Sequence, residues 1–275
     1  MRPGDPLDPL LLQVLPQAAE LLPVDGFRED PLEERDCHVA PGLLQKYAGR
    51  ALLITTGSCP VHCRYCFRRH FAYAEEPSRL EEWRPALEAI AADPKVHEVL
   101  LSGGDPLMLQ NSRLTELCGA LDAVPHVRRV RVHTRMPIVL PERVTPGLIE
   151  LFSLRRTTTI VVIHLNHPNE IADDSKRALR EMVDAGIPVL SQSVLLSGVN
   201  DTAAVLAELF ERLVDLGVMP YYLHQLDPVR GAAHFETDVE RGRQIVAELR
   251  QRLPGYAVPR FVRETPGERH KVPLA

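Results

Sequence analysis

The chain has 275 residues, 45% of them apolar, with 32 basic and 37 acidic side chains for a formal charge of −5. That length supports one sizeable core of α/β-barrel dimensions. The near balance of charge, without a tract of like sign, excludes an extended nucleic-acid footprint, and the lack of any apolar run of about 18 residues excludes a membrane-spanning helix.

Residues 1 to 45 contain Pro3, Pro6, Pro9, Pro16, Pro23, Pro31 and Pro41, so an irregular N-terminal extension wrapped on a main body (46–275) is expected. Its opening, MRPGDPLDPL, lacks the charged-then-apolar order of a signal peptide, and a cytoplasmic location is the expectation. From Arg50 onward, short β-branched runs alternate with amphipathic helical patterns. RALLITT precedes a helix over Ser78 to Ala92, VHEVLLS one over Ser112 to Ala123, and VRRVRVHT one over Thr145 to Leu154. TIVVIHL, IPVLSQSVLL and MPYYLHQL then precede helices over Ser175 to Ala185, Thr202 to Leu216 and Asp238 to Leu253, and YAVPRFV closes the series. Six strand-helix units in a row predict a parallel sheet. A capping box at Ser78 and Glu81, Pro146 in a first turn, and Gly186 and Gly217 at C-caps support the helices. Nearly every strand runs into polar residues, among them His133 to Arg135 and His164 to Glu170. Working residues spread over many strand ends favour a barrel over an open sheet, here an incomplete (β/α)6 barrel, a partial TIM barrel of the α/β class.

The cysteines are Cys37, Cys59, Cys63, Cys66 and Cys118, an odd number clustered at metal-ligand spacing, which suits a reducing compartment. Cys59, Cys63 and Cys66 form C-x3-C-x2-C in GSCPVHCRYCFRRHF, directly after the first barrel strand. A structural zinc site would need a fourth ligand from Cys37, Cys118, His62 or His70. A [4Fe-4S] cluster held by three thiolates instead leaves one iron open to chelate S-adenosylmethionine. The spacing, with the aromatic Tyr65 before the last cysteine, resembles the signature of the radical S-adenosylmethionine superfamily. SGGDPL, after the second strand, would by itself be a turn. In that superfamily a glycine-rich turn here approaches the cofactor, which implicates Gly103, Gly104 and Asp105.

The chain from about Asp5 to Leu274 resembles the lysine 2,3-aminomutase family, and within it the branch that serves elongation factor P. DPLEE, KYAGRALLITTGSCPVHCRYCFRRHF, SGGDPL, HLNHPNE, QSVLLSGVND, MPYYLHQLD, GAAHF and PGERHKVPL carry the resemblance, in one order. It implies conversion of L-lysine to β-lysine with S-adenosylmethionine, the cluster and pyridoxal 5'-phosphate, and a reductant such as flavodoxin or ferredoxin. It also implies a link to elongation factor P and its lysyl-transferring enzyme. Of four lysines, Lys46, Lys95, Lys176 and Lys271, only Lys271 follows the last strand beside other candidates, and it matches the family's pyridoxal-bearing lysine. By the same resemblance Arg68 holds the substrate carboxylate, while Asp227 and Glu264 receive the side-chain ammonium. Lys46, Tyr47, Arg50 and Gln192 bind the pyridoxal ring or phosphate, and His164 contacts S-adenosylmethionine. Glu264 stands where relatives acting on free lysine have Asp, which implies weak use of free lysine; His224 stands where they have Tyr, so no role is carried over to it. No cysteine follows Cys118 to hold the zinc associated with family oligomers, and the chain begins late, so a monomer is expected. Two other readings are a radical aminomutase for another amino acid, such as glutamate, and a non-catalytic Fe-S or zinc binding module.

Overall fold

The computed structural model describes every residue from Met1 to Ala275 except Ser78 and the side chain of Glu75. Among the described residues ten strands form one sheet in simple chain order. They are β1 (His38–Ala40), β2 (Leu43–Tyr47), β3 (Arg50–Thr56), β4 (Glu98–Gly103), β5 (Arg129–Thr134), β6 (Thr158–His164), β7 (Val189–Val194), β8 (Met219–His224), β9 (Arg260–Arg263) and β10 (Val272–Pro273). Strands β3 to β9 are all parallel, and β1, β2 and β10 pair antiparallel with their neighbours. The helices are α1 (Pro9–Leu12), α2 (Leu80–Ala92), α3 (Asn111–Asp122), α4 (Met136–Val139), α5 (Pro146–Ser153), α6 (Asp173–Asp184), α7 (Ala203–Asp215) and α8 (Val239–Arg252). Because the strand order is linear, the sheet ends at β1 and β10 and the barrel is partial, as the six repeated units predict.

Local chemistry sets most boundaries where the sequence places them. Thr145 Oγ1 accepts from Leu148 N at 3.2 Å and Asp238 accepts from Glu240 N at 2.8 Å, so both act as N-caps. Gly186 and Gly217, each with positive φ (77° and 81°), follow the ends of α6 and α7. The capping box read at Ser78 and Glu81 falls partly outside the described residues. The following helix begins at Leu80, where Arg79 N donates to the Glu82 carboxylate at 3.2 Å.

Two departures matter for the site. The lead-in is not irregular throughout: β1 and β2 form a hairpin on β3, and β2 runs across the division expected at 45/46. Its alternation is too short to register as a strand beside so many prolines. The tail after β9 folds back as β10, pairing Val272 with Arg263 and Pro273 with Val262.

The strands sort their residues by period two. On β5, Val130 and Val132 are fully buried toward the helical layer, whereas Arg131 and His133 face the barrel interior. On α6, Ser175, Ala178, Leu179 and Met182 form the buried stripe at helical spacing. The interior of the partial barrel is therefore a cavity into which charged and polar side chains open between apolar ones, and the apolar core lies between sheet and helices. A second cluster, including Tyr65, Leu226 and Phe235 with Leu12 and Phe27 against it, packs the lead-in over the loops at the strand ends.

Candidate active site

The sixteen residues that the sequence assigned to cluster, cofactors and substrate all line one cavity of about 540 Å³. Its floor is the loop from Gly57 to Phe71. That loop lies against the SGGDPL turn, with Gly104 N donating to Thr56 O at 2.7 Å and Asp105 N to Ser58 O at 2.8 Å. A Cβ on Gly104 would stand 2.1 Å from Ser58 O, and one on Gly103, at φ 122°, would stand 2.6 Å from Thr56 O. The two glycines thus let the cysteine loop approach the backbone of β4. The Asp105 carboxylate belongs to the same turn, accepting from Leu107 N (3.0 Å), Thr134 Oγ1 (2.7 Å) and Arg135 N (2.7 Å).

Cys59, Cys63 and Cys66 all lie on this floor. Burial and then the charge of neighbouring thiols push Cys59 up to about 12 and Cys66 up to about 11. Among the described residues no three Cys, His, Asp or Glu side chains are already drawn to one centre. Cys63 Sγ instead accepts from Arg135 Nη1 at 2.7 Å. Of the four candidates for a fourth zinc ligand, only His62 lines the cavity; Cys118 is buried in α3, and His70 bonds Arg230 O at 3.1 Å. The donor set of three thiols on one loop beside a cationic hydrogen-bond donor fits a three-thiolate cluster.

The opposite wall is a line of alternating charges, and much of it escapes sequence reading. Arg68 donates to the Glu34 carboxylate through Nε (2.6 Å) and Nη2 (2.9 Å), and to Ser102 Oγ through Nη1 (3.0 Å). Glu34 also faces Lys46 Nζ at 3.4 Å, and Lys46 reaches Glu264 at 3.1 Å. Glu264 then pairs closely with Lys271. The hairpin register that pairs Val272 with Arg263 sets these last two side chains opposite each other. Burial alone would raise the Glu264 pKa, but Lys271 and Lys46 hold it well below the usual carboxylate range. Lys46 and Glu264 come from β2 and from just past β9, so the ion pair spans the gap that strand pairing leaves open.

The two acids read as a pair behave differently. Asp227 Oδ1 is buried without a hydrogen-bond partner, and burial followed by the charge of Glu264 pushes this carboxyl up to about 7. Arg50 stacks over the Tyr47 ring at 4.5 Å, its cross-strand neighbour. Gln192 lies between His164 and Tyr222 in the sheet register. Burial, then the charge of Arg135, lowers His164 to about 3, leaving it neutral and bonded to Tyr65 Oη at 2.9 Å. His133 Nε2 is also buried and unpartnered in the cavity. Together with Lys46, Arg50, Arg131 and Lys271, these groups fit an anionic aromatic cofactor such as pyridoxal phosphate.

Glu34 and Arg135 are the residues sequence reasoning did not assign. Glu34 reaches the cavity because Glu33 adopts a left-handed φ of 51°, the only non-glycine residue to do so among those described. DPLEE and the polar end of β5 marked both neighbourhoods without marking the side chains.

The radical SAM superfamily model matches residues 53–210. L-lysine 2,3-aminomutase of Escherichia coli (strain K12) is 48% identical over 274 residues, covering 100% of this chain and 80% of that protein. L-lysine 2,3-aminomutase of Haemophilus influenzae is 44% identical over 268 residues, covering 98% and 79%. Among solved structures, a radical SAM methyltransferase from Sphaerobacter thermophilus matches with a TM-score of 0.58 at 20% identity, over 80% of this chain and 68% of that one, a likeness of fold.

Proposed function

The chain belongs to the L-lysine 2,3-aminomutase family of the radical SAM superfamily, and on that premise we propose that it moves the α-amino group of L-lysine to C3 and so makes β-lysine. One observation carries the reading: three thiols, Lys271, Arg68 and Asp227 open onto a single cavity although they come from the two ends of the barrel sheet and the loops between. The family works with a [4Fe-4S] cluster, S-adenosylmethionine and pyridoxal phosphate, which supply radical initiation and spin delocalisation. Cys59, Cys63 and Cys66 hold the cluster, and Lys271 carries pyridoxal phosphate.

The protein's own part is positioning. Glu34 occupies the Nε and Nη2 edge of the Arg68 guanidinium and Ser102 Oγ takes one N–H of Nη1, so the second N–H of each terminal nitrogen is what a substrate carboxylate meets. Asp227, whose Oδ1 is buried without a partner and whose carboxyl is pushed up to about 7, receives the side-chain ammonium as a carboxylate, its proton passing to solvent as the cation enters. The lead-in packed over the strand-end loops keeps water from the reacting centre. We assign the product to modification of elongation factor P through its lysyl-transferring enzyme, with flavodoxin or ferredoxin as electron donor and the protein acting as a monomer in the cytoplasm. The exchange of Asp for Glu at 264 and of Tyr for His at 224 relative to enzymes of free lysine supports a dedicated role.

The test is to incubate anaerobically reconstituted protein with isotope-labelled L-lysine, dithionite, S-adenosylmethionine and pyridoxal phosphate, and to follow the label by NMR. β-Lysine is expected, and the lysyl-transferring enzyme should load it on elongation factor P in preference to α-lysine. Conversion of labelled glutamate, with lysine untouched, would favour the other aminomutase reading.

A further inference from the structure

Behind the cysteine loop lies a polar knot that the proposed chemistry leaves without a task. Arg135 follows the end of β5 and is 8% exposed. Its Nη1 donates to Cys63 Sγ (2.7 Å) and Tyr65 Oη (2.9 Å), and its Nη2 to Glu170 (2.7 Å) and Gln13 Oε1 (2.9 Å). Glu170 in turn accepts from Asn166 N (2.8 Å), His167 N (3.0 Å) and Gln13 Nε2 (3.2 Å), which fixes it in place. Gln13 is fully buried and belongs to the lead-in, whose backbone is tied to the loop by Arg64 N donating to Gln13 O at 2.8 Å. A lone buried guanidinium is costly, so a structural knot would need only a carboxylate to satisfy it. Here one of the two terminal nitrogens is spent on a cysteine sulfur.

Resting on the reading of Cys63 as a cluster ligand, we propose that Arg135 is a positioning residue that sets the reduction potential of the cluster, with Glu170 as its counterweight and Gln13 as the neutral brace. A hydrogen bond from a cation to a ligand sulfur offsets thiolate charge and so favours the reduced, more negative cluster. Glu170, one bond further away, pulls the balance back. The two charges act on the sulfur with opposite signs, a feature that packing alone does not produce.

The experiment is a redox titration of the anaerobically reconstituted cluster, followed by its electron paramagnetic resonance signal, without lysine. Arg135→Gln should lower the reduced-to-oxidised ratio at fixed ambient potential about tenfold, equal to 59 mV for a one-electron couple. Glu170→Gln should raise that ratio, the double variant Arg135→Gln with Glu170→Gln should return near the wild type, and Gln13→Leu, which loosens the knot without altering charge, should leave it within about twofold. If the single variants shift in the same direction, or Gln13→Leu shifts as far as Arg135→Gln, the knot is structural and the proposal is overturned. The Glu170 and double variants decide the matter even if Arg135→Gln alone does not fold. Failure of the wild type to assemble any [4Fe-4S] cluster, by iron and sulfide analysis, would count against the cluster reading itself.

Discussion

Asp227→Asn separates what the site costs from what it does. The Asp227 residue keeps some exposed surface, but its Oδ1 has none and no partner, and the carboxyl titrates at about 7 against a usual value of 3.8. A carboxyl with a raised folded-state pKa destabilises the fold as pH climbs from the unfolded value to the folded one. It carries no such cost below about pH 4, where both states are protonated, and the full cost above about pH 7. A carboxyl raised from 3.8 to about 7 costs at most roughly 4 kcal/mol, and water in a cavity of this size reduces that. The neutral amide escapes the cost at every pH. Even about 2 kcal/mol would raise the melting temperature of the cofactor-free protein by ~4–8 °C. Calorimetric scans of both proteins from about pH 5 to about pH 8 should therefore show an advantage for Asn that grows with pH. Turnover of lysine by the same variant should fall at least about tenfold, because an enclosed ammonium left without its counter-charge costs several kcal/mol. Uncoupled cleavage of S-adenosylmethionine should persist. An advantage that does not change with pH, or a destabilised variant, would refute the reasoning.

Four further outcomes are expected. Ala at Cys59, Cys63 or Cys66 should abolish reductive cleavage of S-adenosylmethionine, while Cys37→Ala and Cys118→Ala keep it; loss of iron from Cys37→Ala equal to that from Cys63→Ala would point to a four-ligand site. Borohydride reduction followed by peptide mapping should place pyridoxal on Lys271, and label on Lys46 would contradict its assignment. Gly104→Ala forces a Cβ to 2.1 Å from Ser58 O, so this variant should lose cluster content on reconstitution even where circular dichroism shows the barrel intact. Glu34→Ala strands Arg68, itself 6% exposed, and should lower unfolding stability by about 3–5 kcal/mol, measured by denaturant titration.

The sequence by itself determined the repeating frame and the chemistry-bearing loops. Period-two runs such as VRRVRVHT became strands, and Thr145, Thr202 and Asp238 became N-caps, because propensity and capping act over a few residues. C-x3-C-x2-C places three thiols on one loop whatever surrounds it, and the scarcity of lysine singled out Lys271. Only the tertiary structure decided the partners. Glu34 meets Arg68 across 34 positions and Gln13 meets Arg135 across 122, so no local pattern relates them. Glu34 arrives through a single left-handed residue, and Lys271 comes opposite Glu264 only because a two-residue strand folds back on β9. The split between Asp227, pushed toward neutrality, and Glu264, held ionised between two lysines, has the same origin. Each carboxyl is tuned by the burial and charge that the closing of the sheet brings to it, and these are properties of the assembled cavity.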